Sequence, residues 1–324
     1  MKLSDLRKLS AGMALWQTPP DPQLLARELT ALGYDPGNLY QELEMESRFV
    51  DTHRDTSYSN ANVGLHSHTF YELLYCRNTC GAEYLVGAER YRLQKGDVIL
   101  VAPGISHRPL LPETMPEPYQ RDVIWISTEF MPLLRQAVQD VQFAQLRQSS
   151  LLRTAGTQWE IIGQLFHNGV VEAEKRAPGW ELAVIGNTVT LVSCLYRALL
   201  DRNAVPMQAE KPERLEQILA YIEAHLAERI TLAEVAHQFF VSESTVVQLF
   251  RKKMGVSFYR CITQRRLIAA KTLIEQGQLL EDVAARTGFS DYSGFYRAFK
   301  QEYGISPRQY RSLQETATRK ASAR

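Results

Sequence analysis

The spacing of hydrophobic residues along the chain changes twice, and each change marks an expected boundary. From about Val63 to Ile126, short runs of Val, Ile, Leu and Tyr are broken by turn residues. The runs are Tyr71 to Arg77, Tyr84 to Val86, Tyr91 to Leu93, Val98 to Val101 and Val123 to Ile126, with breaks at Gly87-Ala88, Gly96-Asp97 and Pro103-Gly104. Short, evenly spaced strands of this kind predict a small antiparallel barrel or jelly roll. From 128 to 202 the period becomes helical. Leu182, Ile185, Val189, Val192, Tyr196 and Leu199 form an apolar stripe at steps of three and four, able to bury within the chain or against a second copy of it. Pro206 and Pro212, set among polar residues, mark a linker.

Beyond the linker the text is duplicated. Leu232, Val235, Ala236, Ser242, Phe250, Gly255 and Ser257 are matched in type and order by Leu280, Val283, Ala284, Ser290, Phe299, Gly304 and Ser306, with one extra residue assigned to the second copy's last helix. The small Ala236 and Ala284 let a second helix cross closely, as a helix pair joined by a tight turn requires. Ser242 and Ser290 stand where an N-cap belongs. Gly288 suits a left-handed turn between the helices; the first copy has Phe240 there, which predicts a somewhat different turn.

The second copy, from Gly288-Phe289-Ser290-Asp291 through Phe295, Arg297 and Phe299-Lys300 to Gly304-Ile305-Ser306-Pro307 and Tyr310-Arg311, resembles the signature of the AraC/XylS family of bacterial transcription regulators. The first copy is similar to that family's more variable repeat, with Arg266-Leu267, Ala270 and Leu273 on the helix joining the two; the resemblance covers about residues 215 to 312. It implies sequence-specific binding of double-stranded DNA. The reader residues it implies are Ser244, Thr245, Val247 and Gln248 in the first copy and Tyr292, Ser293, Tyr296 and Arg297 in the second, with the expected caps Ser242 and Ser290 also counted in the DNA-binding site. Arg297 suits bidentate reading of a guanine edge, Gln248 suits adenine, and Thr245 or Val247 suits a thymine methyl group. Helix-face packing is the competing reading for Tyr292 and Tyr296. Arg251, Lys252, Lys253, Arg265, Arg266 and Lys300 read as phosphate clamps, with solvated charge as the alternative.

Charge follows the same division. The chain as a whole carries +1, yet residues 211 to 324 hold 18 Lys/Arg against 12 Asp/Glu, leaving 19 against 24 in the first 210. The basic excess lies where the reader helices are expected, which is what a polyanionic partner requires. No run of 18 uninterrupted apolar residues occurs, and Met1-Lys2-Leu3-Ser4-Asp5 lacks a secretory pattern, so the expectation is a cytoplasmic chain without a membrane partner. Cys76, Cys80, Cys194 and Cys261 form no Cys-x-x-Cys pair and read as free thiols.

Within the strand-rich part, Gly64-Leu65-His66-Ser67-His68 with Glu72, then Gly96-Asp97 to Pro103-Gly104 and His107, resembles the two cupin motifs. It is also similar to the sensory barrel upstream of the DNA-binding unit in many AraC/XylS regulators. His66, His68, Glu72 and His107 have the spacing of a cupin metal site. The reading adopted is a polar pocket for a small-molecule effector, lined also by Cys76, Tyr84 and Arg92, with no metal and no cofactor. Its rival is a metal-dependent cupin enzyme, an isomerase or dioxygenase.

The expected protein is therefore α+β: a cupin-like antiparallel barrel with flanking helices, then an all-α domain of two helix-turn-helix motifs. Its expected segments are an N-terminal extension at 1–55, helical around Leu24, Leu25, Leu29 and Leu32; a barrel at 56–126; a helical region at 127–202; a linker at 203–212; the DNA-binding domain at 213–312; and a tail at 313–324. The family resemblance implies a regulator, more often an activator, controlled by an effector and acting as a homodimer, with RNA polymerase as a further partner. It is not expected to be an enzyme.

Overall fold

The computed structural model describes residues 45–58, 65–137, 150–201 and 212–312. The expected N-terminal helix around Leu24 to Leu32, almost all of the linker and the tail lie outside these residues. The contacts divide the chain into two units, whose described parts are 45–201 and 212–312.

The described residues of the first unit hold eight strands: β1 (Val50–Ser57), β2 (Tyr71–Cys76), β3 (Glu83–Val86), β4 (Glu89–Arg92), β5 (Asp97–Val101), β6 (His107–Leu110), β7 (Tyr119–Ile126) and β8 (Ser150–Arg153). They form two antiparallel sheets, ordered β1-β7-β2-β5-β8 and β4-β3-β6. The strand-rich half is thus an open pair of sheets, not a closed barrel. Three helices follow or interrupt the strands: α1 (Phe130–Ala137), α2 (Ile161–Lys175) and α3 (Trp180–Leu200).

Side-chain alternation explains the layering. On β2, Leu73 joins Val98, Leu100, Ile124 and Ile126 against Phe166, Val184, Leu191 and Leu195 of the helices, forming one core. Leu74 and Cys76 point the other way, packing with Tyr84, Val86, Ile99, Val101, Tyr119, Val123 and Trp125 between the sheets. The large sheet is covered on both faces, so β5 (DVILV) is buried at every position and after Asp97 reads as a continuous apolar run.

β1 begins inside the segment read as an extension. Its register sets His53 opposite Val123 and Asp55 opposite Arg121. Asp51 and His53 are buried beside its more exposed polar positions, so the strand has no apolar alternation to announce it.

α3 is long and apolar enough to cross a membrane by length and composition, with mean hydropathy 1.5. One face of it packs into the core, burying Val184, Thr188, Leu191, Val192, Leu195 and Ala198. That face differs from the stripe read in the sequence: Leu182 and Val189 are 75% and 38% exposed.

The second unit is helical: α4 (Arg214–Ala224), α5 (Leu232–Gln238), α6 (Glu243–Leu249) continuing as a π turn over Phe250–Met254, α7 (Phe258–Glu275), α8 (Leu280–Arg286) and α9 (Tyr292–Tyr303). Thr231 and Glu234 form a reciprocal capping box at the start of α5, which satisfies two backbone donors at once. Val283, Ala284, Phe295, Phe299 and Tyr310 pack with Leu267, Ala270 and Ile274 of α7.

Candidate nucleic-acid interface and buried polar cluster

Each half of the second unit places a short helix before a longer one across a tight turn. In the first, Val241 N–H donates to the Ala236 carbonyl at 3.0 Å; in the second, Phe289 N–H donates to the Ala284 carbonyl at 3.0 Å. The residue four positions after each alanine is left-handed: Phe240 at φ 53° and Gly288 at φ 83°. The sequence led us to expect a different turn at Phe240. Instead the same conformation is kept, with the phenyl ring 92% exposed.

The extra residue of the second copy lies in the turn and not in the last helix. Ser242 caps α6, accepting from Thr245 N–H at 3.1 Å. The cap of α9 is Asp291 rather than Ser290: its carboxylate accepts from Gly294 N–H at 2.7 Å, while the Ser290 hydroxyl donates to Asp291. An ionised cap is the stronger acceptor at a helix N-terminus. Counted from these caps, Ser244, Val247 and Gln248 correspond to Ser293, Tyr296 and Arg297, and both helices end on left-handed glycines, Gly255 and Gly304.

Ser244, Thr245, Gln248, Arg251, Lys252 and Lys253 are exposed on the first reader, and Ser293, Arg297 and Lys300 on the second. Val247 and Tyr296 are half-buried. Tyr292 is half-buried against the Phe295 core, so packing accounts for at least part of it.

Two expected phosphate clamps are corrected. Arg265 is 1% exposed and paired with Glu223, and burial pulls its pKa down to about 10. Its charge cannot reach a phosphate from there. Arg266 donates to the carbonyls of Leu226 at 3.0 Å and Glu228 at 2.5 Å, which tie α7 to the end of α4.

In the first unit, an isolated antiparallel bridge, with hydrogen bonds of 3.1 and 2.8 Å, joins His66 to His107 at the start of β6. This bridge, and not strand alternation alone, gathers the histidines around Glu72 of β2. Nε2 of His107 stands 3.0 Å from Glu72 Oε2 and Nε2 of His68 stands 3.6 Å from it. Nδ1 of His68 faces the Phe70 carbonyl, and Nδ1 of His107 faces the Ile105 carbonyl, each at 2.8 Å. Trp125 Nε1–H donates to the other Glu72 oxygen at 2.9 Å. Burial works against the Glu72 charge, but His107 and His68 outweigh it and hold the carboxyl well below its usual range. Burial pushes the His68 pKa down.

Of the other expected lining residues, Tyr84 is buried and its ring stacks toward His107 at 6.2 Å between centroids. Cys76 lies in the inter-sheet core, but its thiol donates to the Asn78 carbonyl at 3.1 Å, and burial pushes its pKa up to about 12. Arg92 is corrected: its side chain is 64% exposed, 3.8 Å from Glu83.

Sequence reasoning missed His53, Asp55, Tyr119 and Arg121 of β1 and β7. Arg121 bonds Asp55 and the Ser57 hydroxyl at 2.8 and 2.9 Å and lies over the Tyr119 ring at 5.1 Å. Its alternation on β7 with Val123 and Trp125 was the available signal. Among the described residues, His53 Nδ1, His68 Nε2, Glu72 Oε2, His107 Nε2 and Tyr119 Oη are buried without a well-aligned hydrogen bond.

The model of a helix-turn-helix domain matches residues 235–312. The chain is 36% identical over 122 residues to the probable transcriptional regulator LumQ of Photobacterium leiognathi, covering 37% of this chain and 49% of that one. It is 28% identical over 143 residues to the transcriptional activator RhaS of Citrobacter koseri, covering 44% and 51%, and 25% identical over 256 residues to RhaS of Salmonella arizonae, covering 76% and 86%. The chain thus spans about half the length of the first two. A crystal structure of ToxT from Vibrio cholerae O395 aligns over 83% of this chain and 99% of its own, with 14% identity and a TM-score of 0.32. These sequence relatives are named as transcription regulators.

Proposed function

We propose that the chain is a DNA-binding transcription regulator of the AraC/XylS family, an effector-controlled activator whose two reader helices contact successive major grooves. Arg297 and Gln248 read base edges, while Arg251, Lys252, Lys253 and Lys300 hold phosphates. The observation that carries the DNA half of this reading is the matched register Ser244-Val247-Gln248 and Ser293-Tyr296-Arg297, exposed at its first and last positions and half-buried at the middle one, counted from two caps that each accept from the N–H three residues on. Selection of bound fragments from a random duplex pool tests it. One enriched motif with two half-sites is the expected result, and an unselective pool refutes it.

The effector is a small polar molecule taken up between the sheets, beside His53, Glu72, His107, Tyr119 and Arg121. Support comes from the buried polar atoms there that lack aligned partners, since such groups cost about 1–3 kcal/mol each when left unmet. Control requires the ligand to bind one arrangement of the regulator more tightly than another. Thermal-shift screening of sugars and organic acids against the full chain is the test, with Arg121→Ala expected to abolish the shift. Exposed Leu182, Val189 and Leu200 on α3 support a homodimer contact. RNA polymerase as partner and a cytoplasmic location follow from the activator reading.

A further inference from the structure

We propose that Phe240, in the turn of the first helix pair, is a DNA contact whose ring lies against deoxyribose at the wall of the groove that α6 enters. The inference rests on the reading of α6 as a DNA reader and adds a residue which that reading does not use.

The first argument is the state of the side chain. Phe240 has φ 53° and is 92% exposed. A left-handed backbone is unfavourable for a residue with a Cβ, and no burial of the ring offsets it. The second copy carries Gly288 at this position, which adopts the same conformation without that cost. Backbone strain of this kind concentrates at ligand-binding sites. The neighbouring aromatic is already engaged, since Phe239 packs edge-on against Tyr221 with ring centroids 5.8 Å apart.

The second argument is how firmly the residue is presented. Phe240 N–H donates to the His237 carbonyl at 3.2 Å, Val241 N–H donates to the Ala236 carbonyl at 3.0 Å, and the Arg214 guanidinium donates to the Phe239 carbonyl at 2.8 Å. These bonds aim the Cα–Cβ bond of Phe240 before any partner arrives, which lowers the ordering cost of a contact.

The third argument is place and chemistry. Phe240 precedes the Ser242 cap of α6 by two residues, so the two Cα atoms are at most about 7–8 Å apart. The first residues of a reader helix lie against base edges in a groove about 12 Å wide. A ring just ahead of the cap therefore reaches the wall of that groove. From Phe239 to Ser242 the turn holds no Lys or Arg, so what it offers the wall is apolar and suits the sugar rather than the phosphate. A protein-docking role would call for an apolar patch, yet the exposed residues flanking the turn, His237, Gln238, Ser242 and Glu243, are polar. The first reader also has Val247-Gln248 where the second has Tyr296-Arg297, and an added contact counts most beside the shorter side chains.

The test titrates full-length protein with the duplex enriched from the random pool and with a scrambled duplex, at several salt concentrations. Phe240→Gly should lower affinity for both by about tenfold and leave the salt slope unchanged, because no cation is removed, while its urea midpoint rises. Phe240→Asn, which also tolerates a left-handed backbone, should lose as much; Phe240→Tyr should bind as the unmodified chain does. Hydroxyl-radical footprinting of the unmodified chain should show shielded sugars at one edge of the first half-site, and Phe240→Gly should expose those sugars alone. The contact is overturned by a lowered salt slope, by an unchanged sugar footprint, or by undiminished binding in Phe240→Gly, which would assign the ring to a protein partner. A pool without an enriched motif refutes the DNA reading and the contact together, whereas selective binding that survives Phe240→Gly at full strength refutes the contact alone.

Discussion

Phe240 and Gly288 occupy the same position in the two turns, four residues after Ala236 and Ala284, and both are left-handed. Only one of them is suited to it. A side chain in that conformation costs about 1–2 kcal/mol, and the exposed Phe240 ring recovers little by packing. Phe240→Gly should therefore stabilise the helical unit by up to about 1 kcal/mol. At Gly288 a Cβ would stand 2.1 Å from the Leu226 carbonyl oxygen, so Gly288→Ala should cost more than about 2 kcal/mol. Urea unfolding of the two variants checks both signs; equal effects would show that the turns are not equivalent.

Arg297 and Lys300 lie one turn apart on α9 and should fail differently. Arg297→Ala should cost about 1–3 kcal/mol of binding and relax preference at one base pair. Lys300→Ala should weaken binding to all sequences and lower the salt slope by about one counterion. Binding isotherms at several salt concentrations, on operator and scrambled duplex, separate the two.

Arg265→Ala should instead act on folding. It deletes a fully buried side chain and its pairing with Glu223, a loss chiefly of packing that costs about 2–5 kcal/mol. Glu223 is partly exposed, which places the expected loss at the low end. Thermal unfolding without DNA registers it. A variant of native stability with weakened DNA binding would restore Arg265 as a clamp.

Acid should destabilise the first unit through Asp55. Burial alone would raise its pKa, but Arg121 and His53 outweigh it and hold the carboxyl at about 2, below the ordinary 3.8. A folded-state pKa below the unfolded value gives stability that is complete above the unfolded pKa and disappears as pH falls from about 4 toward 2. The contribution is at most about 2 kcal/mol. Asp55→Asn should flatten that part of the stability profile, as followed by tryptophan fluorescence.

Cys76 should resist alkylation in the folded protein. Its thiol is buried and pushed up to about 12, leaving almost no thiolate near neutral pH. Iodoacetamide labelling at pH 8, read by mass spectrometry, should mark the half-buried Cys194 well before Cys76.

The duplicated helices and most inter-sheet strands were legible in the sequence because apolar spacing and turn residues agreed there. β1 was not legible, since a strand carrying Asp51, His53 and Asp55 shows no apolar face, and with it went the His53 and Asp55 members of the inter-sheet polar cluster. The adjacent Ser290 and Asp291 both look like caps, and only the hydrogen bond to Gly294 decides between them. Arg265 and Arg266 look alike in the sequence. Which of them meets solvent depends on where α4 packs, a tertiary fact that local pattern does not carry.

The anchoring of α7 has a consequence for promoter architecture. Phe258 packs on Phe250 of the first repeat with ring centroids 5.3 Å apart, Gln264 reaches Glu302 of α9 at 3.2 Å, and Arg266 is fastened to the end of α4. With Leu267, Ala270 and Ile274 also packed into the core of the second repeat, a strut held along its length resists stretching or swivelling to follow its target. Each inserted base pair turns the double helix by about a tenth of a revolution, so a single insertion between half-sites should carry one contact patch out of reach and silence the site, although every recognised base remains.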